Sequence, residues 1–401
     1  MPSEIQVKKL LRKNRFPEAF AGKYAFSPYM GCSHDCKYCD GRYEKYHFEG
    51  DLHQDISVRI NAPELLAQEL PKLREFGPIC ISSGISDAYQ PAERKYGLMS
   101  ECTSILAEYD FPVILHTKSN LMLRDWLNWE KINRRSGVNL YVSITWLDDS
   151  MRQKFEPGAS SASERWELLR IAHNAGFKTG VLAMPLIPGI SDSDEHIRKL
   201  LTKTRELDLD FIWIAGLTLK PGRQKDYFLD FINNEFPRHL QKMTGLYLNN
   251  DQYGAPLNGR QFYRQIMPLY EEYGFTDCIP HQVFKGKFAL YDEISILLHD
   301  MQKLYRLKGI HTARLKTAAF KYAEWLKEQK DYIAHRRNIS YNVIDIEIKK
   351  QLASGEFSQI IENRKLTVFL QRIFLNNKFL DYSTLELKDE TDLTYTFNGN
   401  P

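Results

Sequence analysis

The chain has 401 residues, 54 of them basic and 51 acidic, for a formal net charge of +3, with 43% hydrophobic residues. This is the balance of a soluble globular protein with a sizeable core, long enough for two domains or for one barrel with an extension, and it gives no whole-molecule argument for nucleic acid. Six cysteines are too few for a disulfide scaffold. No apolar run approaches the roughly 18 residues of a membrane span, and the basic opening MPSEIQVKKLLRKNRF has no apolar run behind it, so the expected location is cytoplasmic with no membrane partner.

Taken in chain order, a strand is expected near Tyr24–Tyr29, followed at once by a cysteine-rich loop. Strands and helices then alternate. The apolar runs 78–83, 112–118, 138–145, 179–187 and 210–219 read as buried strands. The stretches 93–108, 121–134, 163–175, 194–206 and 223–242 read as helices. Continuous Val/Ile/Leu runs separated by helices predict a parallel sheet covered on both faces, here α/β with about six units, suiting a partial (β/α)6-type TIM barrel. In such barrels ligands sit at the carboxyl ends of the strands. The polar residues expected there are Ser82, Ser83, Ser86 and Asp87, then Thr117 and Lys118, Ser143 and Thr145, Pro185, and Thr218 and Lys220. Past about residue 290 the alternation stops, and 292–306, 312–334, 341–353 and 357–376 all look helical. The expected domains are therefore 1–290, the barrel, and 291–401, a mostly helical extension whose last dozen residues fray.

The cysteine loop reads Tyr29-Met-Gly-Cys32-Ser-His-Asp-Cys36-Lys-Tyr-Cys39-Asp40. Three thiolates in C-x3-C-x2-C spacing can hold three irons of a [4Fe–4S] cluster, which ordinarily takes four, leaving one iron open to a small molecule. Other readings remain: zinc completed by His34 or His47, a four-cysteine cluster completed by Cys80, or unliganded thiols. Cys102 and Cys278 read as small buried hydrophobes.

The spacing C-x3-C-x-aromatic-C, preceded by an aromatic and a glycine, resembles the signature of the radical S-adenosylmethionine (SAM) superfamily. The resemblance implies that SAM binds the open iron and that one electron, from a donor such as flavodoxin or ferredoxin, splits it to a 5′-deoxyadenosyl radical. Further stretches, SGISDAYQPAERKYGL, LHTKSNLMLRD, SITWLDDSMRQKFEPGASSASERWELL and GVLAMPLIPGISD, resemble the branch named after spore photoproduct lyase, a DNA-repair enzyme, across roughly residues 20–220. By that resemblance Tyr38 packs on the cofactor side of the cluster, Ser86 bonds the methionine end, Lys118 reaches the SAM carboxylate or ribose, and Ser143 binds the ribose or carboxylate. The strand end at Met184 faces the adenine. Glu93 is read as a helix N-terminal charge. Two positions depart from the branch: Gly84 stands where a hydrogen-donating cysteine is expected, and Asp40 where a tyrosine is expected. Cys80, Tyr43, Tyr46 and Tyr89 are candidate substitutes, so the substrate and the reaction on it stay open.

The segment 306–337 carries nine basic and three acidic residues with Tyr322, Trp325 and Tyr332 interleaved. Such a stripe can track a phosphate backbone and stack bases, or be a solvated helix face with a packed aromatic side. The non-catalytic alternative for the chain is an iron–sulfur protein that uses its cluster for structure or redox sensing, with this segment as a binding module.

Overall fold

The computed structural model describes residues 2–46, 50–81, 85–248, 253–336 and 338–389. His47, Ser82, Ser83, Gly84, Arg337 and the last dozen residues lie outside them. The chain divides into two compact units. The first comprises Met1–Arg15, Phe20–Lys72 and Pro78–Asp277, and the second Phe16–Ala19, Leu73–Gly77 and the chain from Cys278 onward.

A seven-stranded sheet organises the first unit: β1 (Arg12–Glu18), β2 (Gly22–Phe26), β3 (Ile79–Ile81), β4 (Val113–Thr117), β5 (Val138–Ser143), β6 (Lys178–Leu186) and β7 (Phe211–Gly216). Their order is β7-β6-β5-β4-β3-β2-β1, and each neighbouring pair from β2 to β7 is parallel. Helices α1 (Ala62–Glu69), α2 (Leu98–Leu106), α3 (Trp126–Arg135), α4 (Ala162–Asn174) and α5 (Asp194–Glu206) fall between successive strands from β2 to β7. Parallel pairing forces every strand to end at the same edge, so the loops after β2 to β7 share one side of the sheet. The apolar runs form strands because both faces are covered: all of β2 and β3 is buried, as is β5 up to Ser143. A small second sheet joins Ser3–Ile5 in parallel to Ser57–Arg59, which pairs antiparallel with Tyr29–Met30.

The helices differ from the sequence expectation where single residues break them. The expected helix 93–108 is divided at Gly97, whose φ of 64° is left-handed, into Glu93–Tyr96 and α2. The stretch 223–242 becomes α6 (Arg223–Glu235) and α7 (Pro237–Leu246), because Pro237 opens a new helix where it has no N–H to donate. A further helix, α8 (Gly259–Tyr273), was not expected; Pro268 inside it masks its signal.

The second unit packs α9 (Leu290–Leu307), α10 (Ala313–Ala334), α11 (Asn342–Ser354) and α12 (Arg364–Phe374) around fully buried Leu297, Ile348, Leu352 and Leu370. The expected helix 357–376 is interrupted at Glu362, with φ 51°, and restarts at Asn363, whose side chain caps Leu366 N at 3.0 Å. A short antiparallel pair, Lys378–Leu380 with Leu387–Asp389, adds to a unit that is otherwise helical.

The basic segment 306–337 belongs to this unit. It is not one helix: it spans the end of α9, a turn and α10. Tyr322 is buried and Trp325 packs against the core, whereas Tyr332 is 56% exposed beneath the Arg336 guanidinium. Lys321 pairs with Glu362 and Lys330 with Asp292, while Arg314, Lys316 and Lys327 are exposed.

Gly180 in β6 stands opposite Phe211 in β7, and a Cβ there would lie 2.1 Å from the Phe211 ring. Gly180→Ala is expected to destabilise the first unit by about 2 kcal/mol through overpacking, read as a lower urea midpoint, with part recovered in Gly180→Ala/Phe211→Leu. An unchanged midpoint contradicts this packing.

Candidate active site

The loop between the small sheet and Asp40 is shaped by two left-handed residues, Gly31 (φ 87°) and Asp35 (φ 52°). Asp35 receives Lys37 and Arg42. The loop is pinned from both sides through its backbone. Cys32 N donates to Leu52 O at 2.9 Å, Lys37 N to Phe155 O at 2.9 Å, and Gly158 N to His34 O at 2.9 Å. Gly158 must lack a side chain, since a Cβ would sit 2.4 Å from Ser33 O.

Two buried carboxylates fix this loop against the strand ends. Asp87 accepts from His34 Nε2 at 3.0 Å, Thr117 Oγ1 at 3.0 Å, Lys118 N at 2.7 Å and Tyr89 N at 2.8 Å. Burial alone would raise its pKa, but the His34 bond and charge and the backbone donors hold it below the usual carboxylate range. The other nitrogen of His34 faces Gly158 O at 2.9 Å. Both its ring nitrogens thus face oxygen acceptors.

Glu156, fully buried, is the second anchor. It accepts from the Tyr38 hydroxyl and the Arg165 guanidinium and lies 3.5 Å from Lys118 Nζ. Burial opposes its ionisation, yet the charges of Arg165 and Lys118 with the Tyr38 bond bring its pKa down to about 2. Lys118 Nζ also stands 5.8 Å from the centre of the Tyr38 ring. Gln90 completes the frame, accepting from Ser33 N at 2.8 Å and donating to Gly31 O at 3.0 Å.

These elements enclose a cavity of about 420 Å³ at the carboxyl edge of the sheet. Cys32, Cys36, Tyr38, Cys39, Ser86, Lys118, Ser143 and Met184 all line it, joined by His34, Asp40, His53, Asp87 and Thr117. The Ser86 hydroxyl donates to Gly31 O at 2.9 Å. Thr145 and Lys220, expected at strand ends, do not line the cavity; Lys220 instead bridges Asp40 at 2.6 Å and the Tyr46 hydroxyl at 2.8 Å.

The structure also places the hydrogen-donor candidates. Cys80 is fully buried within β3 and does not line the cavity. Tyr89 is buried, donating to Asp125 at 3.0 Å and accepting from Trp129 at 2.9 Å. Tyr46 donates to Asp40 Oδ2 at 3.1 Å and stands edge-on to Tyr43. Gly84 lies outside the described residues. Glu93 opens its short helix as expected, but fully buried, where it accepts from Tyr29, Arg124 and Met99 N.

Sequence reasoning passed over three side chains. Glu156 sits within a quoted motif but carries no spacing signal of its own. Gln90 and His53 acquire their partners only in the fold. His53 presents Nδ1 to Cys32 O at 2.6 Å, and burial together with the Arg42 charge lowers its pKa to about 4.

The donor set fits an iron–sulfur cluster. The three cysteines are free of disulfides and face one cavity, and burial keeps them as neutral thiols, pushing Cys32 up to about 12 and Cys39 to about 11. Ligation would remove those protons. Among the described residues no three His, Cys, Asp or Glu side chains gather about a single metal ion; in a cubane each cysteine instead serves its own iron. The cavity volume falls within the roughly 300–1,000 Å³ of small-molecule sites, with Lys118 as a cation suited to a carboxylate.

Residues 26–201 match the model of the radical SAM superfamily. An uncharacterized protein of Mycobacterium tuberculosis is 26% identical over 274 residues, covering 67% of this chain and 80% of its own. One from Methanocaldococcus jannaschii is 28% identical over 230 residues, covering 57% and 82%. Among solved structures, a spore photoproduct lyase double mutant with bound AdoMet and dinucleoside spore photoproduct aligns with a TM-score of 0.51 at 16% identity, covering 67% of this chain and 78% of that one. Spore photoproduct lyase complexed with dinucleoside spore photoproduct aligns with a TM-score of 0.50 at 16% identity, covering 68% and 79%. At such identities the likeness is one of fold.

The Glu156 anchor yields a stability prediction. A carboxyl whose pKa is depressed on folding stabilises the fold fully above its unfolded value and loses that contribution as pH falls through the folded value. Glu156→Gln leaves Arg165, 1% exposed, without its anion; the expected cost is about 3 kcal/mol at pH 7. The gap between wild type and variant in denaturant unfolding should narrow as pH falls from 4.5, the ordinary value, toward about 2. Equal stability at pH 7 contradicts the assignment.

Proposed function

We propose that this chain is a radical SAM enzyme, a reading supported by the match of residues 26–201 to the model of that superfamily, and that Cys32, Cys36 and Cys39 hold a [4Fe–4S] cluster whose open iron takes S-adenosylmethionine. The reading is supported by one observation: eight residues expected from five separate segments line a single cavity. The six sequential parallel strands that carry it are read as a partial barrel. When bound, the cluster and SAM supply a reductive cleavage that yields a 5′-deoxyadenosyl radical.

The chain's own residues position and shield. Lys118, aimed by Glu156 and Tyr38, offers its ammonium to the SAM carboxylate or ribose. Ser143 and Met184 contribute the far wall for the ribose and adenine, and Ser86 the methionine end. Phe20 and His116, half-buried with ring centres 4.3 Å apart, line the cavity and help to keep water from the reacting atoms. The reaction on substrate differs from that of the branch's namesake in its hydrogen return, because Asp40 occupies the tyrosine position. The electron donor is proposed to be a flavodoxin or ferredoxin, and the compartment the cytoplasm.

The test is anaerobic reconstitution with iron and sulfide, reduction with dithionite, addition of SAM and assay of 5′-deoxyadenosine. Product is expected from the wild type and not from Cys32→Ala/Cys36→Ala/Cys39→Ala. Lys118→Met is expected to weaken SAM binding about tenfold, the loss of roughly 1.4 kcal/mol. A cluster that forms but leaves SAM intact, with an EPR signal that SAM does not perturb, favours the non-catalytic alternative.

A nucleic-acid substrate, as for spore photoproduct lyase, is proposed on the exposed cations of α10. With Tyr322 in the core and Trp325 packed against it, the affinity would come from phosphate contacts and fall steeply with salt. Reversing Arg314, Lys316 and Lys327 to Glu should reduce the salt dependence of DNA and RNA binding; an unchanged salt slope contradicts this role.

A further inference from the structure

Between Asp300 and Glu324 the chain carries six basic residues, Lys303, Arg306, Lys308, Arg314, Lys316 and Lys321, and no acidic one. This stretch is the end of α9, the turn 308–312 and the first half of α10. Every residue from Arg306 to His311 is exposed, including Leu307 at 46% and Ile310 at 47%. Lys308 is tied to Ser383 O at 2.9 Å and Lys321 to Glu362 at 3.5 Å, but Arg306, Arg314 and Lys316 enter no ion pair among the described residues. The second half of α10 differs, since Glu324, Glu328 and Asp331 oppose its cations. On the acid-free half stands Phe320, 61% exposed. A helical side chain leans toward the N-terminus of its helix, so this ring covers the turn of Lys316 and Thr317 rather than that of Glu324.

The chemistry of the patch narrows its partner. Unpaired cations attract an anion, and a flat ring among them favours an anion that also presents flat apolar faces. Nucleic acid does both. In a duplex those faces are stacked on one another, so a ring standing on a helix reaches them in a single strand. A lipid surface would need a broad apolar face, whereas the exposed positions around Phe320 on α10 are Ala313, Lys316, Thr317 and Ala323. We propose that the turn between α9 and α10, together with Phe320, binds single-stranded nucleic acid, with Arg306, Arg314 and Lys316 on phosphates and Phe320 stacked on a base. The proposal rests on the nucleic-acid reading above and deepens it: the contact centres on the acid-free half of the segment, and the stacking ring is one that lies outside the core.

The test is fluorescence anisotropy of the full chain with a labelled single-stranded DNA of about 15 nucleotides, with its duplex, and sedimentation with vesicles of anionic phospholipid. The single strand is expected to bind more tightly than the duplex. Phe320→Ala should weaken that binding at least about fivefold without changing its salt dependence, and Phe320→Trp should retain it. Arg306→Gln/Arg314→Gln/Lys316→Gln should lower the slope of log affinity against log salt by about two. All four positions are exposed, so the variants keep the fold. Phe320→Ala binding as tightly as wild type, a duplex held as tightly as the single strand, or vesicles bound in place of the oligonucleotide overturns the proposal. A chain that binds no oligonucleotide at all defeats the nucleic-acid reading itself, while one that binds it through other residues defeats only this inference, so the two failures are distinguishable.

Discussion

The site depends on the buried carboxylate of Asp87. It holds together three things that the chain lays down separately: the cysteine loop through His34, the end of β4 through Thr117, and the backbone that aims Lys118. A carboxylate removed from water is costly unless all its oxygens are bonded, so an arrangement that satisfies it completely is rigid. The cysteine loop has little regular structure of its own. Its geometry comes from these partners, and the same contacts that place Lys118 at the cavity place the thiols there too.

Glu156 repeats the device on the opposite side of the loop. Arg165, Lys118 and Tyr38 converge on it, and the chain beside it holds the loop backbone at His34 and Lys37. A lysine closing an apolar strand would otherwise turn toward solvent. Pairing it with a buried anion keeps its ammonium at the cavity wall, 16% exposed, where a ligand carboxylate can meet it. The two anchors leave the floor to apolar and aromatic groups. Polar positioning and water exclusion are what the proposed radical reaction would need from its protein.

The strand–helix alternation was legible because buried parallel strands are written as unbroken apolar runs, and all five later runs became strands. The cysteine spacing was legible because side chains that are to face one cavity can come from one short loop, and Cys32, Cys36 and Cys39 do line one cavity. What the sequence concealed falls into two kinds. Helix interruptions at Gly97, Pro237 and Glu362 turn on single backbone conformations inside otherwise helical periodicity. The anchors were hidden for another reason. His34 meets Asp87 across 53 positions and Tyr38 meets Glu156 across 118, and no local pattern marks such a pair. Glu93 shows the converse: a helix-start charge in the sequence, it proves to be a core ion pair with Arg124. The interleaved aromatics of 306–337 admitted either a stacking surface or a packed helix side, and helical periodicity buries Tyr322 and packs Trp325 against the core.

The central claim is that three cysteines leave one iron of a four-iron cluster open to SAM inside this cavity. Mössbauer spectroscopy of the iron-isotope-enriched wild-type cluster, recorded before and after adding SAM, tests it most directly. The account predicts that one of the four irons changes its isomer shift and quadrupole splitting while the others hold. Spectra that are identical with and without SAM, or a protein that takes up zinc in place of iron and sulfide, would contradict it.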